Sequence, residues 1–84
     1  MNVIYTKHVQ EKLLRKDIKA FKINKRLIEN FIKNNKYSSK TKSGEEAIIC
    51  NLNSKYILRI IYVIMKGDIK VITFHVARSG RYEK

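Results

Sequence analysis

Residues 55–76 read KYILRIIYVIMKGDIKVITFHV, and this stretch decides the fold. β-Branched and aromatic residues fill both sides of Lys66–Gly67–Asp68, the composition of two strands joined by a tight hairpin turn. Strands are expected over 55–65 and 69–76. Toward the N-terminus, Glu46–Leu52 (EAIICNL) reads as another strand, set off by a turn at Asn53–Ser54. Tyr37–Lys42 is polar and strand-like before a turn at Ser43–Gly44. Asn2–Tyr5 is short and partly β-branched, a brief strand or an extended arm.

Between these segments the period changes to that of a helix. Thr6 is an N-cap for a helix starting at Lys7, with Val9 and Leu13 on one stripe. Asn24 caps a second helix, Ile23 and Ile28 stand at hydrophobic-staple positions, and Leu27, Ile28, Phe31 and Ile32 form its buried stripe. Asn34–Asn35 end it. The link around Lys19–Lys22 lacks Gly and Pro and has no defined form. The expectation is an α+β fold, a single domain over 1–84: two N-terminal helices packed on one face of a three- to four-stranded antiparallel sheet.

Strand alternation assigns the sheet faces. Ile48, Cys50, Leu52, Leu58, Ile60, Tyr62, Ile64, Ile72, Phe74 and Val76 form a nearly all-apolar set expected to meet the helices. The other face takes Ala47, Ile49, Asn51, Ile57, Arg59, Ile61, Val63, Val71, Thr73 and His75. Two helices cover one face only, so Arg59 and His75 are expected on an open face. Ile49, Ile57, Ile61, Val63 and Val71 would be exposed beside them, which calls for a homodimer, another partner or an added terminal segment.

The 84 residues carry 19 Lys+Arg against 7 Asp+Glu, a net charge of +12. A chain this short buries roughly 60–65 % of its extended surface, which argues against an enclosed pocket. The charge implies polyanionic partners, nucleic acid first, although 14 lysines and 13 isoleucines also fit an A·T-rich coding bias. Twelve Lys/Arg and three acids fall in residues 1–42, seven and four in 43–84. Lys12, Arg15, Lys16, Lys19 and Lys22, with Arg81 in the tail, are the expected nucleic-acid-binding residues. No apolar run is long enough to cross a membrane. The stretch MNVIYTKHVQEKLL has charges inside its apolar run, unlike a signal peptide, so a cytoplasmic location is expected.

Candidate chemistry gathers late in the chain. Arg59 can neutralise charge developing on a phosphate, His75 can exchange a proton near neutral pH, Arg78 adds a cation, and Tyr82 a hydroxyl or a stacking ring. His8, in the first turn of the first helix, can act as a base or bond the sheet. The bland reading is that Arg59 is a solvated face residue, His75 a polar strand end and His8 a local structural group. Metal chemistry is not indicated: His8 and His75 stand 67 residues apart, the single Cys50 is predicted to face the core, and acids are few and scattered. No glycine-rich phosphate loop is present, and no cofactor is expected.

YTKHVQEKLLRKDI near the start and YILRIIYVIMKGDIKVITFHVARSGRY later resemble small uncharacterised domains of the RelE/ParE-like toxin superfamily, with the BrnT-type ribonuclease toxins as the nearest named relatives. The resemblance spans essentially the whole chain in short pieces. It implies two helices against a sheet, and an open sheet face that presents basic and aromatic residues to messenger RNA, often on the ribosome, for cleavage without metal. Arg59, His75, Arg78 and Tyr82 match the positions it implies, and His8 matches an early histidine of the uncharacterised relatives. It further implies a separate antitoxin covering the active face. An obvious glutamate–lysine cluster for base work is absent from this sequence. The function expected is therefore a metal-independent endoribonuclease of toxin type; a non-catalytic nucleic-acid-binding module and a small dimeric interaction protein are the alternatives.

Overall fold

In a computed structural model, residues 2–35 and 37–80 are described. Arg81 and Tyr82, two of the expected site residues, lie outside the described residues. The elements are β1 (Asn2–Tyr5), α1 (Lys7–Leu13), α2 (Lys16–Ala20), α3 (Lys25–Asn34), β2 (Ser39–Lys40), β3 (Glu46–Asn51), β4 (Tyr56–Met65) and β5 (Asp68–Arg78). The five strands form one sheet in the order β1-β5-β4-β3-β2.

The α+β class holds, and its details change. Among the described residues there are three helices rather than two, and five strands rather than three or four. The sheet is mixed, because β1 runs parallel to β5 with Asn2 opposite Asp68 and Tyr5 opposite Val71. The extra helix, α2, occupies the stretch that had no defined form. Five residues are too few to show a helical period or to hold a helix alone; burial of Ile18 (4 % exposed) anchors it.

The two expected caps are in place. Thr6 Oγ1 accepts from Val9 N at 3.2 Å and Asn24 Oδ1 from Leu27 N at 2.9 Å. Ile23 and Ile28 are both buried. Val9, Ile18, Ile23, Ile28 and Ile32 of the helical layer share one core cluster with Ile48, Cys50, Leu58, Ile60, Tyr62, Ile69, Val71 and Phe74 of the sheet. Gly67, at φ 71°, takes the left-handed turn that links β4 to β5.

One irregularity revises the assignment of faces. The β4–β5 register runs evenly from Tyr56–Arg78 to Ile61–Thr73, then jumps so that Tyr62 faces Val71. Ile72 is the extra residue of a β-bulge. Strict alternation predicts Val71 on the open face; the bulge reverses it, and Val71 is fully buried beside Ile69 and Phe74 on the helix side. Both halves of β5 thus turn their apolar residues inward. The open face is also less apolar than expected: Ala47, Ile57 and Ile61 are buried there, while Ile49 is 37 % exposed and Val63 half-buried. Ile64, expected in the core, stands 66 % exposed beyond the helices.

The bulge has a direct test. Val71→Asp puts an unpaired carboxylate in the core and should cost about 3 kcal/mol or more. Ile64→Asp should change stability by less than about 1 kcal/mol. Urea denaturation of both variants measures the contrast, which the unbulged alternation would invert for Val71.

Candidate active site

Pairing of β4 with β5 sets Arg59 directly opposite His75, with Ile49 of β3 opposite Arg59 on the other side. The three side chains make one row across the face turned away from the core. Directly opposed residues hold their Cβ atoms about 4.5–5.5 Å apart, so guanidinium and imidazole share one patch. Along β4, Arg59 stands between Ile57 and Ile61, both buried. Its half-buried stem lies among apolar neighbours, and it is engaged within the chain. His75 is exposed.

Helix α1 brings the other members. Thr6 ties its start to the bulge: its N–H donates to Val71 O at 3.3 Å and its hydroxyl to Ile72 O at 3.2 Å. The helix then runs beside the second half of β5, where β1 no longer pairs. Six residues after Thr6, Lys12 extends over the Phe74 ring, 4.9 Å from its centroid, and its ammonium donates to Phe74 O, the carbonyl just before His75. The aliphatic stem is half-buried and the charge is delivered to the sheet edge. Burial lowers the Lys12 pKa, with the Arg15 charge adding to the effect and Asp17 opposing it.

His75 therefore sits among cations. Its pKa is held below the ordinary 6.5, first by burial and then by the charges of Lys12, Arg59 and His8. A neutral imidazole at pH 7 accepts a proton. His8, Glu11, Lys12 and Arg15 line a shallow groove of about 300 Å³ on α1.

The remaining expected residues are distributed differently. Arg78 faces Tyr56 at the end of β5; three residues beyond His75, alternation turns it to the opposite sheet face. Arg15 makes a two-point pair with Asp17 (Nε–Oδ1 3.1 Å, Nη2–Oδ2 2.8 Å), which holds the Asp17 carboxyl below its usual range. Lys16 and Lys19 lie exposed on α2 and Lys22 in the turn after it, its backbone left-handed at φ 60°. Lys19 and Lys22 line, with Lys25, a groove of about 600 Å³ between the helices, away from His75. Lys12, expected only as a diffuse phosphate contact, proves to be the cation beside His75. No local signal marks it, since its position depends on α1 docking against the β5 edge. Buried Cys50 accepts a contact from Asn35 Nδ2 at 3.6 Å, and burial raises its thiol pKa. Among the described residues, no three His, Cys, Asp or Glu side chains gather as a metal site, and no helix is long and apolar enough to cross a membrane.

Compared with protein-family models, with curated proteins and with solved structures, the chain matches none.

The electrostatic account of His75 is testable by NMR titration. Removing a neighbouring cation, as Lys12→Gln or Arg59→Gln, should raise its pKa toward 6.5. Because its folded pKa lies below the unfolded one, the unfolded chain takes up the proton first. The stability this group contributes is complete above pH 6.5 and is lost as pH falls through the window below it. Both variants should narrow that window, and an unchanged titration would leave burial and the His8 charge as the causes.

Proposed function

We propose that the chain is a metal-independent endoribonuclease of toxin type, acting on RNA at the Arg59–His75 patch. The observation that carries this reading is the direct opposition of Arg59 and His75 on paired strands, with Lys12 held on the Phe74 carbonyl beside them; burial, and then the charges of Lys12, Arg59 and His8, lower the His75 pKa. Cleavage of RNA through its own 2′-hydroxyl needs a base, an acid and cations around one phosphate, and these four side chains supply that set.

His75, neutral at pH 7, accepts the 2′-hydroxyl proton as O2′ attacks phosphorus. Arg59 and Lys12 stabilise the charge that builds on the non-bridging oxygens. The P–O5′ bond breaks, and O5′ takes up a proton from water or from the acid that His8 would supply. The products are a 2′,3′-cyclic phosphate and a 5′-hydroxyl, with every proton accounted for. The resemblance to RelE/ParE-like toxins supports the same reading and extends it to ribosome-associated messenger RNA, a cytoplasmic location and an antitoxin over the active face.

One observation favours the non-catalytic reading, a nucleic-acid-binding module. Lys7, Lys16, Lys19, Lys22, Lys25, Arg26 and Lys33 all stand exposed on the helical layer and its turns, a surface that attracts phosphate with no chemistry attached.

Incubation of the protein with RNA in chelator, alone and with ribosomes, tests the proposal. Cleavage should leave cyclic phosphate ends. His75→Ala should slow it about 10²–10⁴-fold, and Arg59→Ala about 10²–10³-fold. No cleavage under either condition, with binding whose salt slope falls on removal of helical lysines, would replace the enzyme by the binding module.

A further inference from the structure

The two edges of the sheet differ. β2 is two residues long, exposed and polar, and pairs only with Glu46 and Ala47 of β3, so shortness and charge protect that strand. β1 (NVIY) carries no charge and pairs on one side only, with β5. Its register decides which backbone groups point outward. Thr6 N–H donates to Val71 O, so by alternation Ile4 also turns its N–H and C=O toward β5, while Val3 and Tyr5 turn theirs away. The Gln10 side chain confirms the direction, for its Nε2 donates to Tyr5 O at 3.2 Å. Both backbone groups of Val3 and the N–H of Tyr5 are left facing the open edge.

Beside that edge lies a groove of about 520 Å³ between the sheet and α3, lined by Val3, Ile32, Ile69, Glu29 and Lys33. Glu29 is occupied by the Tyr5 hydroxyl at 2.5 Å, and Lys25 lies over the Tyr5 ring. Among the described residues, three of the six exposed large hydrophobics, Ile4, Ile64 and Met65, stand at this end of the sheet. The register places Ile64 in one row with Ile69 and Val3, and Ile4 in one row with Lys70 and Val63.

We infer that the β1 edge binds an extended, acidic segment of a partner protein as a sixth strand, independently of the RNA reading. The backbone of Val3 and Tyr5 supplies the ladder, and the groove takes an aliphatic side chain at alternate positions of the added strand. Lys33, Lys25 and Lys70 border the edge, and the whole chain carries +12, so the flanking side chains of the segment are acidic. A second copy fits poorly: it would bring another +12, and a four-residue edge spans only about 13 Å, too little by itself for the roughly 800 Å² per partner of a stable interface. β1 pairs with residues 68–71 of β5, short of His75, so the added strand leaves the Arg59–His75 patch open.

The probe is an acetylated heptapeptide alternating glutamate with isoleucine or valine, titrated against the full ¹⁵N-labelled chain. Binding should be saturable, with amide shifts concentrated at residues 2–6 and 29–33, and the same peptide with lysine for glutamate should not bind. Val3→Pro removes an outward N–H without touching the β1–β5 ladder, and should weaken binding about tenfold or more. N-methylation of alternate peptide amides tests the ladder without altering the protein: one methylation register should abolish binding and the other spare it. His75→Ala should leave binding unchanged. Absence of binding, equal binding of both methylation registers, or shifts centred on Arg59, Lys12 and His75 would overturn the proposal. So would concentration-dependent dimerisation that displaces the peptide, which would assign the edge to a second copy.

Discussion

Thr6 and the bulge at Ile72 form the junction on which the other elements depend. Up to Tyr5 the chain is a strand paired with β5; from Lys7 it is a helix lying along the same strand. Thr6 makes the change possible by three bonds, from its N–H and hydroxyl to consecutive β5 carbonyls and from the α1 backbone to its hydroxyl. The bulge offers those carbonyls at the right place and reverses the alternation of β5. Ile69 and Val71 then face the core in register with Phe74. A β5 without the extra residue would send one of its halves outward.

Site and core are therefore not independent. His75 is the residue after Phe74, and the Phe74 carbonyl, left without a strand neighbour where β1 ends, is the acceptor that holds Lys12. A sheet-edge acceptor needs a donor, and here a cation fills that need beside a histidine. Partial burial first, and then Lys12 on one side and Arg59 on the other, make protonation of His75 unfavourable. In so thin a protein no cavity encloses the imidazole; partial burial, and then the charges of its neighbours, set its state.

Where the structural signals are local, the sequence carries them. Thr6 and Asn24 as caps, the Ile23–Ile28 staple, the glycine turn at 67 and the long apolar strands all follow from side chains within a few residues of one another. Arg59 and His75 were also legible as a pair on one face, since both precede the bulge when counted from the open end of the β4–β5 ladder. What escaped were pairings across the chain. Asn2–Tyr5 reads as a strand or an arm, and nothing within it names β5 as its neighbour or makes the pairing parallel. Arg78 illustrates the opposite error: nearness in sequence to His75 suggests a shared site, while the pleat turns it to the other face.

By itself, the sequence determined the element types, the apolar stripes, the excess of positive charge and the few residues able to move a proton or hold a phosphate. These depend on propensity, periodicity and side-chain chemistry, which act over a single turn or a single strand. Only the tertiary structure decided the register: that Ile72 is extra, that Val71 is core, that Lys12 rather than Arg78 accompanies Arg59 and His75, and that β1 is left as an uncharged edge. Register is a property of two strands at once, set by how the sheet packs on the helices as a whole, and one residue of slip is enough to exchange a core position for a surface one.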